Sequence, residues 1–436
     1  MITMDFLYQV YLETRQNKRR SEDSVEFEIE LEKNLEDLLE SINNKTFIAD
    51  GNYTFITTNP GRNGCREVFA AELGTRVVHH YIHRALLDIL EDELTPRTYN
   101  NRIGKGVIAA VQTVRDDIYE VTNGYTEDAW IIKWDLKAFF MCIKHDIIFE
   151  KLMHIIDERY KGDDIDDLKW MIERCIFSHP AEHCYRKSPT HKWMIVEPHK
   201  SLFNQPEGQG AAIGFLIWQL FINYYHDDID RWIYEELHIP FARFVDDMLI
   251  IVKDKDAALA YIMPELRKRY ADLNITMQDK KFYCQHYSKG VKFCGMTVKF
   301  DRIYPNPRTV RSVNAKIDKF NRQRVKYVHL QDFLNSMNSY LGIIKQCTSY
   351  RLVNKLISRI DIGWFNYVQW DPVRRVLSAR PCYDFHGRLD YSYNLGLTTF
   401  NKHKSYIGKP IFNAKYTKIV DWDINLPPMK SSYYVD

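Results

Sequence analysis

Apolar positions in residues 21–42 (SEDSVEFEIELEKNLEDLLESI) fall at Val25, Phe27, Ile29, Leu31, Leu35, Leu38 and Leu39. From Leu31 onward the spacing is helical, with the acidic residues on a solvated face; before it, the alternation fits helix or strand. A turn is expected at Pro60-Gly61-Arg62-Asn63-Gly64, and a helix from about Thr75 to Leu94, ended by Pro96. Trp130 to Leu136 (WIIKWDL) reads as a buried strand that delivers Asp135 at its C-terminal end. Residues 178–210, rich in His, Pro, Lys and Gly, read as a long irregular connection, and 213–237 as a strongly apolar helix starting near Ile213-Gly214. Residues 241–252 (FARFVDDMLIIV) predict two short strands around a tight turn at Val245-Asp246-Asp247. Pro264 to Leu273 reads as helix, 282–300 as short strands, and Val310 to Trp370 as mainly helical and basic. The tail after Asp371 is aromatic and turn-rich. The chain has no internal repeat.

Composition narrows the class. At 436 residues and 45% hydrophobic, the chain can bury a large core and hold two or three domains or subdomains. It has no apolar run of about 18 residues and no basic-then-apolar leader, so neither a membrane span nor a signal peptide is expected. The eight cysteines form no CxxC pair and read as small buried hydrophobes in a reducing compartment, which predicts a cytoplasmic location. A net charge of +2 does not by itself suggest a polyanionic partner, so its distribution matters more. Acids crowd Glu22 to Glu40 and Asp157 to Asp167, while Lys316 to Lys326 and Arg374 to Arg380 are basic. The 14% aromatic content serves core packing or base stacking.

The sharpest chemical signal is Asp246-Asp247 between apolar strands. Two adjacent acids there are costly to bury without a counter-charge, and a divalent metal is the usual remedy. Nucleotidyl transfer needs two hard cations held by carboxylates, with a third acid from a neighbouring strand end. Asp135 fits that need. Taken alone, the pair is equally an acidic hairpin turn.

The order of the surrounding segments resembles bacterial reverse transcriptases, over roughly residues 10–365, most strongly those of diversity-generating retroelements and defence-associated enzymes. Arg66-Glu67-Val68-Phe69-Ala70 with Arg76-Val77-Val78-His79-His80 is similar to the first fingers motif, and Asn101-Arg102-Ile103-Gly104-Lys105-Gly106 to the second. Asp135-Leu136-Lys137-Ala138-Phe139-Phe140 resembles motif A, Phe244-Val245-Asp246-Asp247 motif C, and Asp279-Lys280-Lys281 motif D. Val291-Lys292-Phe293-Cys294-Gly295 resembles the primer grip, and Asn338-Ser339-Tyr340-Leu341-Gly342 a thumb segment.

The resemblance implies a metal set of Asp135, Leu136, Asp246 and Asp247, holding two Mg2+ ions with Mn2+ as an alternative. It implies Lys281, or its neighbour Lys280, as general acid toward pyrophosphate. Arg102 and Lys105, beside two glycines, suit a triphosphate loop. Phe140 occupies the sugar-gate position that excludes a 2′-hydroxyl, although a core role suits it too. Gly214, Trp218 and Gln219 begin the helix beneath the templating pair. Trp218 departs from the family pattern, which has serine there, and either restricts the template or packs in the core. His79 and His80 lack a third ligand and read as structural.

The expected class is α+β, a right-hand polymerase fold. Its expected divisions are fingers with an N-terminal helix (1–130), an antiparallel-sheet palm (131–300), a helical thumb (301–370) and a C-terminal extension of unassigned role (371–436). Arg308, Arg311, Lys316, Lys319, Arg322, Arg324 and Lys326 would follow a duplex backbone from the thumb. Four functions compete. The first is a DNA-synthesising enzyme on a dedicated non-coding RNA in antiphage defence, and the second the mutagenic enzyme of a diversity-generating retroelement. The third is a catalytically silent RNA-binding module, and the fourth an RNA-primed or untemplated terminal transferase. The intact aspartates speak against silence, and Phe140 against ribonucleotides. The expected partners are a non-coding RNA template, the DNA product, dNTPs, and an accessory protein or second copy.

Overall fold

The computed structural model describes residues 2–16, 22–49, 51–58, 65–182, 184–299, 301–323 and 329–380, and the backbone of two short strands at 410–412 and 419–422. The turn expected at 60–64, the cations Arg324 and Lys326, Cys382 and most of the tail lie outside the described residues. The chain divides into two compact units, Met1–Lys289 and Gly290–Asp436.

In the first unit the strands are β1 (Gly51–Thr58), β2 (Cys65–Ala71), β3 (Trp130–Asp135), β4 (Tyr185–Arg186), β5 (Phe241–Phe244), β6 (Asp247–Val252) and β7 (Tyr283–His286). They form two sheets, ordered β2-β1-β4 and β5-β6-β3-β7. The second sheet is antiparallel throughout, and its register sets Asp135 opposite Asp247. Its centre is apolar because β6 contributes Met248, Leu249, Ile250 and Ile251 and β3 contributes Ile131, Ile132 and Trp134, all buried. Each such side chain stabilises the sheet by roughly 1.5–3 kcal/mol.

Helices Leu73–Glu93, His145–Arg159, Ile165–Ile176 and Leu216–Tyr225 join the same core. The first begins and ends close to expectation, its last turn giving way to extended backbone at Leu94, two residues before Pro96. The long helix predicted at 213–237 is instead three pieces. Leu216–Tyr225 is helical, the backbone leaves the helix at His226 (φ −119°, ψ 24°), and Asp227–Arg231 leads into a π-turn at Trp232–Glu236. The ambiguous start at 21–42 is helical: Glu22–Ile29 and Leu31–Asn43, separated at Glu30.

The second unit carries a meander of β8 (Val291–Phe293), β9 (Met296–Lys299) and β10 (Arg302–Pro305), and a hairpin of β11 (Val368–Asp371) and β12 (Val376–Ala379). Helices Pro307–Arg322, Leu330–Ile344 and Tyr350–Ser358 share a core in which Phe333 stacks on Trp364 at 4.2 Å. Pro at the first helical position and the Asn306 side chain capping Arg308 N–H at 3.0 Å start the first of these. Arg311, Lys319 and Arg322 are exposed along it; Arg308 and Lys316 are half-buried. Helices and largely antiparallel sheets make the class α+β, as the pattern predicts.

Candidate active site

The β5–β6 connection is a two-residue loop, Val245-Asp246, since Phe244 pairs with Asp247. Val245 has φ +60°. Hairpin loops of this length place glycine or asparagine at such a position, and a β-branched residue there stores on the order of 1–3 kcal/mol. A buried polar network holds the strained turn. Val245 N–H donates to Asn100 Oδ1 at 2.9 Å, and Asn100 Nδ2 donates to Asn223 Oδ1 at 2.6 Å. Arg243, on β5, donates to Asn223 Oδ1 at 3.3 Å and to Asp230 Oδ2 at 2.6 Å, both members of that ion pair being 0% exposed. Thr98 Oγ1 also donates to Asp230, at 2.9 Å. Sequence reading did not single out Asn100, Asn223, Asp230 or Arg243; a buried arginine two residues before the turn was the available signal.

The turn puts three carboxylates together. Asp135 and Asp247 are cross-strand partners, and Asp246 lies in the loop beside them. Burial first, and then the charges of Asp135 and Asp247, push the Asp246 carboxyl above the usual range; Arg66, on β2, opposes the shift. Two lysines answer the negative charge. Lys133, two residues before Asp135 on β3, pairs with Asp247, and Lys281 Nζ lies 2.9 Å from Asp135 Oδ2. Lys281 arrives there because its segment is laced to the strand end: Lys137 N–H donates to Thr276 O and Gln278 N–H to Asp135 O, each at 2.8 Å, and Leu136 bridges Met277. Lys133, which no sequence pattern marked, and Arg66, marked only as part of the first fingers motif, are further cations of this site. Among the described residues, no three His, Cys, Asp or Glu side chains stand as a ready-made metal site. Two of the three aspartates are turned to lysines instead.

The remaining candidates divide. Gly214 (φ +114°) lies where Ile213 O accepts from Phe69 N–H at 2.7 Å, and a Cβ would stand 2.3 Å from Phe69 O, so only glycine fits. Gln219 is exposed, its carbonyl accepting from Asn101 Nδ2 at 3.4 Å. Phe140 is half-buried, edge-on to Phe139, and its carbonyl accepts from Ala211 N–H at 2.8 Å. Ala138, two residues before it, is left-handed (φ +46°).

Three further candidates, Trp218, Arg102 and Lys105, are engaged within the fold. Trp218 is only 3% exposed and packs against His145 and Phe221, as the core alternative has it. Arg102 has a side chain 6% exposed, bonded to Glu91 Oε1 at 2.8 Å and to the carbonyls of Thr95 and Thr98 at 2.5 and 3.1 Å. It also donates to Glu91 O at 3.3 Å and Leu94 O at 3.4 Å, and so clamps the end of the Leu73–Glu93 helix, where carbonyls left open need a donor. Lys105 is likewise occupied, donating to Pro96 O at 3.0 Å over the Tyr99 ring.

The family model described as "Reverse transcriptase (RNA-dependent DNA polymerase)" matches residues 71–298, a span that contains all three aspartates. No curated protein matches the chain. Among solved structures, a telomerase from Candida albicans in complex with a TWJ fragment of telomeric RNA is 12% identical, with a TM-score of 0.41 over 68% of this chain and 53% of that one. An apo telomerase from Candida Tropicalis truncated from its C-terminal domain is 13% identical, with a TM-score of 0.38 over 61% of this chain and 59% of that one. The chain thus spans little more than half the length of either. With a family match over half its length, an α+β right-hand polymerase architecture and acids gathered on a tight hairpin, the chain belongs to the reverse transcriptase family.

Proposed function

We propose that the chain is an RNA-directed DNA polymerase that adds deoxynucleotides to a primer 3′ end. The observation that carries this is the convergence of Asp135, Asp246 and Asp247, with Asp246 so desolvated and so crowded by like charge that the cluster calls for added positive charge. Hard carboxylate oxygens in that setting suit Mg2+, with Mn2+ as the alternative, and the three aspartates with Leu136 would hold two ions. Such ions, when bound, activate the primer hydroxyl and neutralise the leaving pyrophosphate.

The chain's own groups do the rest. Lys281, beside Asp135, holds a proton for the departing pyrophosphate. Arg66 offers positive charge to the triphosphate, the part first assigned to Arg102 and Lys105, which are engaged elsewhere. Phe140, two residues after the left-handed Ala138, limits room at the sugar 2′ position. Fingers, palm and thumb are assigned to 1–130, 131–300 and 301–370, with 371–436 as an extension.

The biological setting we propose is a bacterial defence enzyme copying a dedicated non-coding RNA. The diversity-generating alternative rests on motif resemblance. Purified protein, Mg2+, dNTPs and a primed RNA template test the chemistry: labelled DNA is expected, and its absence on every RNA template tried would refute it. Sequencing the RNA and DNA that co-purify tests the setting; a DNA product from one discrete RNA is expected, and a neighbouring template-repeat/variable-repeat pair as the copied sequence would move the chain to the alternative.

A further inference from the structure

Of the two lysines on the acid cluster, one lies largely in solvent and the other is built into the sheet. Alternation along β3 places Ile131, Lys133 and Asp135 on one face, with Ile132 and Trp134 on the other, in the main core. The register sets Lys133 opposite Leu249 of β6 and Tyr283 of β7, one row behind the Asp135–Asp247 pair. Ile131 and Leu249, its neighbours on that face, are wholly buried. The lysine stem is therefore packed, and only 12% of the side chain is exposed. From there the ammonium reaches diagonally across the ladder to Asp247 Oδ1, a span within a long side chain's range.

Lys281 is held differently. It comes from the short turn Asp279–Lys281, its side chain is 56% exposed, and it can leave Asp135 for water when another cation takes its place. Lys133 has no such exit. Its strand is paired on both sides, and leaving Asp247 would give up a charged partner in a largely enclosed place, which is costly. One of the cluster's three negative charges is thus offset from within the sheet itself.

From this we infer that Lys133 is a resident counter-cation of the metal site: it keeps the three acids assembled while no ion is bound, and lowers their affinity for divalent ions in exchange. Three carboxylates side by side repel one another, and the ammonium on Asp247 relieves that repulsion without any outside partner. A divalent ion arriving at Asp247 meets the same ammonium as a like charge at close range, where partial burial makes charges felt more strongly than in water. Lys133 acts through Asp247 and is a positioning residue. The inference deepens the polymerase reading and rests on it for the identity of the ions.

Mn2+ binding to the full-length chain, without nucleotide or nucleic acid, provides the test, read from the free-ion signal in electron paramagnetic resonance. Lys133→Met should bind Mn2+ on the order of tenfold more tightly than wild type, and a given Mn2+ concentration should raise its melting temperature by more. Lys133→Gln, neutral but polar, should tighten binding likewise and guards against misfolding of the first variant. Lys133→Arg, which keeps the charge, stays at the wild-type affinity. In a D246A/D247A chain Lys133→Met should change nothing, which separates the cluster from acids elsewhere on the surface. Affinity unmoved in both neutral variants would make the lysine a packing element, and weakened affinity would make it a support for Asp247 as a ligand; either overturns the proposal. Because no synthesis is involved, a chain that makes no DNA but shows the tightening refutes the polymerase reading and leaves Lys133 in its role. A chain that makes DNA with Mn2+ affinity indifferent to both neutral variants keeps that reading and loses this one.

Discussion

At the residue scale, the site's acids are balanced by its own lysines. Lys281 is the cation on Asp135, and Lys133 the one on Asp247. If Lys281 supplies a proton, Lys281→Ala should slow single-turnover incorporation on the order of 10²-fold, while Lys281→Arg keeps the charge but, holding its proton far more tightly than lysine, recovers little. Equal rates in Lys281→Ala and wild type would leave the lysine a mere counter-ion. Phe140→Ala should raise ribonucleotide incorporation relative to deoxynucleotide incorporation, measured as the ratio of the two kcat/KM values; an unchanged ratio would return Phe140 to the core. Trp218 and Arg102 show why motif position does not fix role. Each occupies a place associated with nucleotide contact, yet one is buried beside His145 and the other bonded to the helix-end carbonyls of Glu91 and Leu94. A sequence states that a large or charged side chain is present, not which neighbour claims it first.

At the scale of elements, the β5–β6 hairpin depends on partners remote in sequence. Its existence was legible from alternating apolar residues around two acids; its strain at Val245 and its support by Asn100 and Asn223 were not, because they depend on which side chains meet across the fold. Asn100→Ala would leave the Val245 N–H without its acceptor, at a cost of about 1–3 kcal/mol. The expected result is a lowered melting temperature together with loss of incorporation. A stable, fully active variant would show the network to be incidental. Arg243→Met would strand the Asp230 carboxylate in the core, a loss of about 3–5 kcal/mol. The 178–210 connection was legible only as irregular, since two paired residues on a fingers-like hairpin produce no periodic signal.

At the scale of the whole molecule, the α+β class and the order of the motifs were legible, while the division after Lys289 depends on contacts that no local pattern reports. The core also carries a pH liability. Burial holds His79 down at about 3 and lowers His83, His145 and His226 as well. These rings stay neutral when folded, whereas the unfolded chain takes up protons below about pH 6.5, so stability is present above that pH and lost as pH falls. His79, held down at about 3, contributes up to about 1.4 kcal/mol per pH unit in that window. Melting temperature should therefore fall steeply between pH 6.5 and 5, less steeply in His79→Phe; identical slopes would show His79 to be charged or exposed in the fold. The central claim concerns the three acids. Magnesium-dependent deoxynucleotide incorporation on a primed RNA, measured beside RNA affinity in wild type and in D246A/D247A, tests it most directly. The account predicts that incorporation disappears while RNA affinity holds; incorporation surviving in the double variant would contradict it.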